Sequence, residues 1–368
     1  MKRQLSHPLS GANPLTLLSV LLRNGPLPMA SWPVIMAILG ASLLRQPFSA
    51  LEKAYVGFRR NAVAPVRAPI FIIGHWRSGT THLYNVMSQS PQFATVSPFA
   101  TALPWDFLLL ARWLRGLLKK ALPSDRFIDQ IPVHEDSPQE DEIGLANMTP
   151  TSFYHALYFP RKFHRNFDAG LFFEGVEPHE VGEWRRLLRY YYLKLQLAFP
   201  ERRLLIKNPV YTARVSLLTS MWPEAKFIHI HRNPYKVFFS MRNFYQKLFE
   251  RFALQAWDHI NLDEHILSTY ERMMAEFDVD SKNLRSNQLI HMKFDDFQTD
   301  PVGELKHIYD RFDLSGFDQD KQAFQSYLKS IKGYKKNSYE FPLEDLEKVA
   351  QRWKPYIDRW GYEPPIEE

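Results

Sequence analysis

The sequence predicts an α/β fold in which a P-loop-like parallel sheet is flanked by helices. Short apolar runs typical of buried strands recur along the chain, and a helical pattern follows each of them. The first run ends at a loop bracketed by two glycines. Because parallel sheets bind ligands at the carboxyl ends of their strands, functional residues are expected just after each apolar run.

The composition is that of a globular chain with a mild basic excess. Hydrophobic residues make up 45% of the 368 residues, and Lys plus Arg outnumber Asp plus Glu by 46 to 40. Such a small, dispersed excess favours anionic ligands or an anionic surface over nucleic acid. The chain has no cysteine, which excludes disulfides, thiolate nucleophiles and cysteine metal sites.

Residues 1–63 are predicted to form an apolar helical appendage. The stretch at residues 25–44 has no charge, but Pro26, Pro28 and Pro33 make it a poor membrane-spanning helix. An interfacial or packed segment is therefore favoured, with a spanning helix and a cleaved or disordered leader as alternatives. Basic residues that suit anionic headgroups follow this stretch: Arg45, Lys53, Arg59 and Arg60.

The main domain is predicted to span residues 64–368 and to begin with a strand at residues 70–73. A helix is expected at residues 83–88, and two more, at residues 108–118 and 183–197, lie in an aromatic middle region. Strands then alternate with helices, with strands at residues 203–206, 226–230 and 289–292 and helices at residues 212–221, 235–249 and 301–312. Asp300 and Pro301 mark the last of these helix starts, because Asp caps a helix and Pro fits its first turn.

The glycine-bracketed loop at residues 74–81 follows the first strand. Gly74 and Gly79 enclose four residues before a helix begins, which is the spacing of loops whose backbone N–H groups cradle phosphate oxygens. A nucleoside triphosphatase has Lys after the second glycine, whereas this chain has Thr80, and the difference argues against ATP or GTP hydrolysis. Arg77, inside the loop, is a candidate clamp for one phosphate beside the group in transfer.

A second anion site is predicted where the strand at residues 226–230 ends. Arg232 follows this strand, Asn233 can cap the next helix, and Pro234 fits its first turn. An arginine beside a helix N-terminus attracts anions, although a surface ion pair is the alternative for Arg232 taken alone. Two anion sites on one sheet predict a ligand with two separated phosphates.

These segments resemble those of sulfotransferases that use 3′-phosphoadenosine-5′-phosphosulfate (PAPS). The resemblance rests on residues 77–81, on Arg232-Asn233-Pro234 with Ser240 eight residues after the arginine, and on residues 293–301. It extends over residues 68–340. The chain is more similar to the bacterial and tyrosylprotein-type branches than to the cytosolic branch.

The resemblance implies a sulfotransferase fold with PAPS as the sulfuryl donor, and sulfuryl chemistry requires no metal. It implies that Arg232 and Ser240 hold the 3′-phosphate and that loop residues hold the 5′-phosphosulfate. The loop residues concerned are Arg77, Ser78, Gly79, Thr80 and Thr81. Lys207 follows the strand at residues 203–206 and matches a lysine that stabilises the leaving group, with an ordinary solvated lysine as the alternative.

The resemblance does not identify the general base. Pro209 stands where the cytosolic branch has its catalytic His, and residues 95–98 lack the Glu of the tyrosylprotein branch. The acidic segment at residues 134–142 is the candidate region, because a carboxylate partly buried against apolar groups has a raised pKa. Glu140 is favoured, then Glu142, then His134, and a solvated helix-capping turn is the alternative.

The basic segment at residues 332–338 loosely resembles the nucleotide-binding loop near the C-terminus of the family. Ser338 is a candidate contact for the 5′-phosphate, and a lysine of this segment is a candidate contact for the 3′-phosphate. A solvated basic turn is the alternative.

The leading functional hypothesis is transfer of a sulfuryl group from PAPS to a hydroxyl of a hydrophobic lipid, sterol-like or other ringed acceptor. An apolar N-terminus and an aromatic content of 14% favour such an acceptor, and core packing explains both equally well. A P-loop phosphotransferase and a membrane-attached nucleotide-binding protein without turnover are the alternatives. The expected location is cytoplasmic, with residues 1–60 touching the inner membrane face.

Overall fold

The computed structural model describes residues 7–62, 67–114, 116, 134–332 and 340–365. The chain divides into two compact units. The first unit lies within Met1–Arg67, Ala94–Leu204 and Lys247–Ile260, and the second lies within Ala68–Phe93, Leu205–Gln246 and Asn261–Glu368.

Strands and helices alternate in the second half of the chain, whereas helices prevail in the first half. The strands are β1 (Ile70–Ile73), β2 (Phe93–Ala94), β3 (Arg203–Lys207), β4 (Lys226–His231) and β5 (Leu289–Lys293). The helices up to β4 are α1 (Pro14–Asn24), α2 (Trp32–Arg59), α3 (Thr80–Met87), α4 (Pro98–Ala102), α5 (Leu110–Trp113), α6 (Asp141–Leu145), α7 (Tyr154–Tyr158), α8 (Phe163–Phe172), α9 (Pro178–Ala198) and α10 (Val215–Met221). The later helices are α11 (Pro234–Phe252), α12 (Leu262–Ser281), α13 (Phe294–Thr299), α14 (Pro301–Phe312), α15 (Phe317–Ser330), α16 (Leu343–Arg352) and α17 (Lys354–Trp360).

The sheet has the strand order β2-β3-β1-β4-β5. The pairs β3–β1, β1–β4 and β4–β5 are parallel, with Ile72 opposite Lys207 and Ile73 opposite His229. β1 is buried along its whole length, as expected for a central strand of a parallel sheet. The predicted α/β class is therefore confirmed, and the residues that follow β1, β3 and β4 lie at one edge of the sheet.

The two faces of this sheet are packed with apolar side chains in the second unit. Ile70 and Ile72 of β1 belong to a buried cluster that includes side chains of α3 and α14. Phe71, between them, points to the other face, where its ring stacks on Phe227 at 5.5 Å and meets Tyr211 edge-on at 5.6 Å. Burial on both faces supplies the hydrophobic stabilisation that a parallel sheet requires.

The helix starts show where the sequence prediction was exact and where it was late or early by a few residues. Asp300 accepts a hydrogen bond from the Gly303 N–H at 2.9 Å, which confirms the predicted cap of α14. α3 begins at Thr80, directly after the loop, rather than at residue 83. α10 begins only at Val215, because Pro209–Ala213 form a 3₁₀ turn. Of the helix predicted at residues 108–118, the structure has Leu110–Trp113, and part of the remainder lies outside the described residues.

The prolines near the N-terminus do not interrupt α2. Pro26 and Pro28 precede the helix, and Pro33 lies in its first turn, where a proline needs no backbone N–H. Among the described helices, Met29–Arg59 is long and apolar enough to cross a membrane, by length and composition alone. The helical character predicted for this part of the chain is confirmed, while the division into an appendage at residues 1–63 and a domain at residues 64–368 stays a prediction.

Candidate functional site

The loop at residues 74–81 joins the end of β1 to the start of α3. Its backbone is left-handed at three residues, with φ of 136° at Gly74, 69° at Arg77 and 96° at Gly79. A positive φ is uncommon for a residue other than glycine, so the surrounding loop holds Arg77 in a constrained conformation. The Gly74 N–H donates to the Thr212 hydroxyl at 2.8 Å, which ties the loop to the 3₁₀ turn after β3.

Close packing explains why both bracketing residues are glycines. A Cβ atom on Gly74 would lie 2.2 Å from the carbonyl oxygen of Ile230. A Cβ atom on Gly79 would lie 2.1 Å from the ring of Phe294. The loop backbone therefore lies directly against the end of β4 and the residue after β5, and any larger side chain would displace it.

The first turn of α3 begins at the second glycine. Gly79 is the N-cap, and Thr80 and Thr81 are the first helical residues. An α-helix leaves its first backbone N–H groups without intrahelical partners and carries partial positive charge at this end. The side chains of Ser78 and Thr80 are buried, and that of Thr81 is half-buried. This arrangement fits an anion that accepts hydrogen bonds from the loop.

Arg77 connects the loop to the second predicted anion site. Its Nε atom donates a hydrogen bond to the Ser240 hydroxyl at 2.8 Å. Ser240 is buried on α11, which Asn233 caps by accepting from the Tyr235 N–H at 3.1 Å. The two segments that were predicted separately are thus joined within the second unit.

Arg232 brings a second guanidinium group to the same segments. It is half-buried, and its guanidinium carbon lies 4.9 Å from the ring centroid of Phe294. One of its terminal nitrogens donates to the carbonyl oxygen of Arg77 at 3.4 Å. Because the aromatic ring attracts the cation and restricts its orientation, the two arginines provide positioned positive charge beside the loop.

Lys207 is the last residue of β3 and is 2% exposed. The neighbouring Asn208 N–H donates to the carbonyl oxygen of Ile72 at 3.2 Å. The Asn208 side chain then caps the following turn by accepting from the Val210 N–H at 3.0 Å. The alternative of an ordinary solvated lysine is therefore wrong, because the strand end holds this side chain out of water.

Glu140 and Glu142, the two favoured carboxylates, lie at the start of α6 in the first unit. Glu140 is the N-cap residue, is half-buried, and accepts a hydrogen bond from the Tyr154 hydroxyl at 3.4 Å. Glu142 is fully buried, and its Oε1 atom accepts from the Ser152 hydroxyl at 2.7 Å. Glu140 is thus partly open to solvent, whereas Glu142 is locked into the interior of the unit.

His134 has a different environment from these carboxylates. It is exposed, and its backbone N–H donates to the Ser137 hydroxyl at 2.8 Å within a turn. A solvated turn therefore describes His134 but not the buried Glu142. Ser338, the candidate contact for the 5′-phosphate, lies outside the described residues, so its role stays a prediction.

The structure adds two residues that the sequence interpretation did not single out. Phe294 packs against both Gly79 and Arg232, and the Thr212 hydroxyl accepts a hydrogen bond from the Gly74 N–H. Phe294 follows β5 directly, at a strand end where functional residues are expected, so its position was a usable signal. No pattern marked Thr212, because its contact with the loop depends on the 3₁₀ turn.

The first unit contains a cavity of about 580 Å³. Its walls include the rings of Phe99, Phe107 and Phe199, and the acidic residues Glu135 and Asp136 also line it. A largely apolar wall with a few polar groups is typical of sites for hydrophobic small molecules. The cavity is therefore a candidate for holding an apolar ligand.

Comparisons with known proteins agree with this picture. The profile of the sulfotransferase family matches residues 69–319. The chain is 28% identical over 333 residues to the omega-hydroxy-beta-dihydromenaquinone-9 sulfotransferase Stf3 of Mycobacterium bovis and to that of Mycobacterium tuberculosis. These alignments cover 90% of this chain and 85% of each relative.

Two crystal structures of mycobacterial sulfotransferases have a similar fold. STF9 from Mycobacterium avium aligns with a TM-score of 0.70 and 16% identity, covering 97% of this chain and 98% of that one. STF1 from Mycobacterium tuberculosis aligns with a TM-score of 0.64 and 16% identity, covering 92% and 90% of the two chains. At this level of identity the similarity concerns the fold alone.

Proposed function

The chain belongs to the sulfotransferase family, and on this premise we propose that it moves the sulfuryl group of PAPS to a hydroxyl of a hydrophobic acceptor and releases 3′,5′-bisphosphoadenosine (PAP). The hydrogen bond from Arg77 to Ser240 is the observation that carries the proposal. It joins the phosphate loop to the second anion-binding segment, and a nucleotide with phosphates at both its 3′ and 5′ positions needs two such segments side by side.

The proposed donor contacts divide between these two segments. Arg232 and Ser240 bind the 3′-phosphate. The loop contacts the 5′-phosphosulfate through Arg77, Ser78, Gly79, Thr80 and Thr81. The constrained loop backbone and the N-terminus of α3 support the loop contacts, and the guanidinium groups of Arg77 and Arg232 supply positive charge for the two phosphates.

The proposed reaction is an in-line displacement at sulfur. The acceptor oxygen forms a bond to sulfur while the bond from sulfur to the bridging phosphate oxygen breaks, and PAP leaves with that electron pair. Lys207 donates a hydrogen bond to the bridging oxygen and stabilises its developing negative charge. Burial of Lys207 supports this role, because an ammonium group held out of water interacts more strongly with charge.

The proton of the acceptor hydroxyl passes to a carboxylate in this proposal. Glu140 is the preferred base, because it is half-buried and keeps contact with solvent through which the proton can leave. Glu142 is the second choice, because its Oε1 atom already accepts a hydrogen bond from the Ser152 hydroxyl. His134 is the least favoured of the three because it is exposed in a turn.

A hydrophobic acceptor is supported by the aromatic cavity of the first unit. The name of the relative Stf3, which refers to omega-hydroxy-beta-dihydromenaquinone-9, is consistent with the same class. The proposal therefore favours a lipid, sterol-like or other ringed molecule. It also includes a cytoplasmic location at the inner membrane face, with membrane contact through residues 1–60.

Radiolabelled PAPS tests the proposal directly. The protein is incubated with labelled PAPS and a mixed extract of lipids, sterols and glycans, and a parallel reaction contains labelled ATP. A labelled organic product from PAPS is expected, and it should disappear in Arg77→Ala but persist in Lys306→Ala, which alters an exposed lysine of α14. Binding of PAP without any product would favour a nucleotide-binding protein without turnover, and labelling from ATP would favour a phosphotransferase.

A further inference from the structure

α2 presents a row of large apolar side chains to solvent. At about 100° per residue, these side chains fall within an arc of roughly 140° around the helix. Together they form the apolar stripe, which consists of Trp32, Met36, Leu43, Leu44, Leu51, Tyr55 and Phe58. α1 adds three exposed leucines at helical spacing, namely Leu15, Leu18 and Leu22. So many large exposed apolar side chains on two helices indicate an interaction site rather than ordinary surface.

The opposite face of α2 is buried in the first unit. The buried residues fall in an arc of roughly 100° whose centre is opposite to that of the apolar stripe. They are Val34, Ile35, Ile38, Ser42, Glu52 and Val56. α2 therefore carries apolar side chains on both faces, and its buried polar groups, Ser42 and Glu52, lie on the face turned to the protein.

Charged contacts hold this buried face to the unit. Arg45 pairs with Asp106 at 2.7 Å, and Lys194 pairs with Glu52 at 2.6 Å. The other oxygen of Glu52 accepts from the Leu109 N–H at 2.8 Å. Glu52, Asp106 and Lys194 are fully buried, and we call these three residues and Arg45 the buried ion cluster.

The buried ion cluster argues against a spanning position for α2. Arg45 lies at the middle of this 28-residue helix, where a bilayer crossing would place it in the hydrocarbon. Crossing would also separate Arg45 and Glu52 from Asp106 and Lys194 and leave buried charges without partners. The composition of Met29–Arg59 permits a membrane span, but the contacts of its polar residues do not.

The exposed charges of α2 and the turn that follows it are basic. Lys53, Arg59 and Arg60 are exposed, whereas Glu52, the sole acidic residue of α1 and α2, is buried against Lys194. Basic side chains beside an apolar helix face are attracted to anionic lipid headgroups. The charge pattern therefore favours a membrane surface with negative charge over a neutral apolar partner.

We propose that the apolar stripe docks on the surface of an anionic lipid bilayer, with α2 lying flat in the interface. The apolar side chains enter the boundary between headgroups and acyl chains, and the buried ion cluster keeps the other face of α2 attached to the protein. The inference rests on one part of the proposed function, namely the membrane contact through residues 1–60. Its structural basis is the packing of the first unit, which is independent of the sulfuryl chemistry.

Sedimentation with lipid vesicles tests the docking surface. The full chain is expected to bind vesicles that contain phosphatidylglycerol and to bind pure phosphatidylcholine vesicles much more weakly. Leu44→Glu and Phe58→Glu should each weaken vesicle partitioning about tenfold or more, because each removes a large apolar group from the interface. Leu343→Glu makes the same change at an exposed leucine of the second unit and should bind like the unaltered protein.

Several outcomes would overturn the proposal. One is failure of the unaltered protein to bind either vesicle, and another is equal binding by the Leu44→Glu, Phe58→Glu and Leu343→Glu variants. A third is a dimer of the unaltered protein in size-exclusion chromatography that Leu44→Glu converts to monomer, since the stripe would then contact a second copy. Thermal unfolding of each variant confirms that it is folded before binding is compared.

Depth measurements separate a flat helix from a spanning one. Because the chain has no cysteine, single cysteines introduced at Met36, Leu44 and Leu51 can carry a fluorophore whose depth is read with quencher lipids. A flat α2 predicts similar depths at all three positions. A spanning helix predicts that Leu44, near its middle, lies up to about 12 Å deeper than Met36, at about 1.5 Å per residue. Such a difference would overturn the flat orientation.

Turnover measurements keep this inference distinct from the proposed function. With the mixed extract of lipids, sterols and glycans dispersed in detergent, Leu44→Glu and Phe58→Glu are expected to transfer the sulfuryl group as the unaltered protein does. Loss of vesicle binding without loss of transfer supports the docking surface and the proposed function together. Vesicle binding by a protein that transfers no sulfuryl group would support the docking surface and overturn the proposed function.

Discussion

The Nε atom of Arg77 donates a hydrogen bond to the hydroxyl of Ser240, which lies 163 residues later in the chain, at 2.8 Å. Arg77 has a positive φ in the phosphate loop, and Ser240 is buried on α11. The contact therefore links the two segments proposed to bind anions, through side chains whose positions are both restricted. The affinity of a ligand for one segment should consequently change when a residue of the other segment is substituted.

Arg77→Ala and Ser240→Ala are expected to weaken PAP binding together rather than independently. Arg77→Ala should weaken PAP binding about tenfold or more, because it removes the proposed charge-assisted contact to phosphate. The loss in the double variant should be smaller than the product of the single losses, since each change also removes the shared hydrogen bond. Isothermal titration calorimetry measures the three affinities, and Lys306→Ala is the control. Strictly multiplicative losses would contradict the coupling.

Gly79→Ala is expected to destabilise the second unit by more than the cost of a positive φ alone, because the new Cβ atom would also clash with Phe294. A Cβ atom there would lie 2.1 Å from the Phe294 ring, and the residue has a φ of 96°. Gly361 also has a positive φ, of 62°, but its Cβ position is open. Gly361→Ala should therefore lower the free energy of unfolding by about 1 kcal/mol and Gly79→Ala by about 2–4 kcal/mol. Equal effects in denaturant unfolding would show that Phe294 yields without cost.

The sheet and its loop could be predicted from the sequence because their signals are local. Buried strands appear as apolar runs, and the loop appears as two glycines at fixed spacing after the first run. Helices such as α12 were not predicted, because charged residues interrupt their apolar pattern. Arg352 of α16 pairs with Glu271 of α12 at 2.6 Å, and only the fold brings these two residues together.

The positions of the site residues along the chain could be predicted from the sequence, whereas their burial and contacts could not. Lys207 was located correctly at a strand end, yet its burial could not be read from a sequence in which Lys is usually exposed. The contact between Phe294 and Gly79 likewise depends on the ends of β1 and β5, which the sheet places on opposite sides of β4. Local patterns thus predict where a site lies, while burial and aromatic packing require tertiary structure.

Acid is expected to destabilise the protein below neutral pH through its buried histidines. Burial lowers the pKa of His7, His75 and His155 to about 4 and that of His231 to about 3. The unfolded chain therefore binds more protons than the folded protein below the ordinary histidine pKa of 6.5. The free energy of unfolding should fall as the pH decreases, by about 1.4 kcal/mol per pH unit for each such histidine.

His231→Phe tests this pH dependence at one position. Phenylalanine can keep the stacking of residue 231 on Trp360, at 4.2 Å between ring centroids, and cannot take up a proton. The variant should lose less stability than the unaltered protein between neutral and acidic pH in denaturant unfolding. His307→Gln, which removes an exposed histidine of α14, is the matched control. Identical pH profiles for His231→Phe and the unaltered protein would contradict the assignment.

Lys194→Met is expected to destabilise the first unit strongly, and a second substitution should recover much of the loss. Lys194 is fully buried against Glu52, so its removal leaves a buried carboxylate without its cation, at a cost of about 3–5 kcal/mol. The double variant Lys194→Met with Glu52→Leu removes both charges and should approach the stability of the unaltered protein. Denaturant unfolding measures the stabilities of the unaltered protein and of the two variants. A double variant less stable than Lys194→Met would contradict the stabilising effect of Lys194 on the buried Glu52.

Burial of Lys194 also predicts how the free energy of unfolding depends on pH. Burial lowers the pKa of Lys194 from 10.5 to about 8, although Glu52 and Asp106 oppose the shift. Between pH 8 and 10.5 the unfolded chain therefore binds more protons at this residue than the folded protein, and its contribution to the free energy of unfolding rises with pH. Because other groups titrate in this range, the quantity to measure is the difference between the unaltered protein and Lys194→Met, which should grow as the pH increases. A difference that shrinks over this range would mean that Lys194 keeps an elevated pKa in its pair, and the ion pair would then outweigh the desolvation of the lysine.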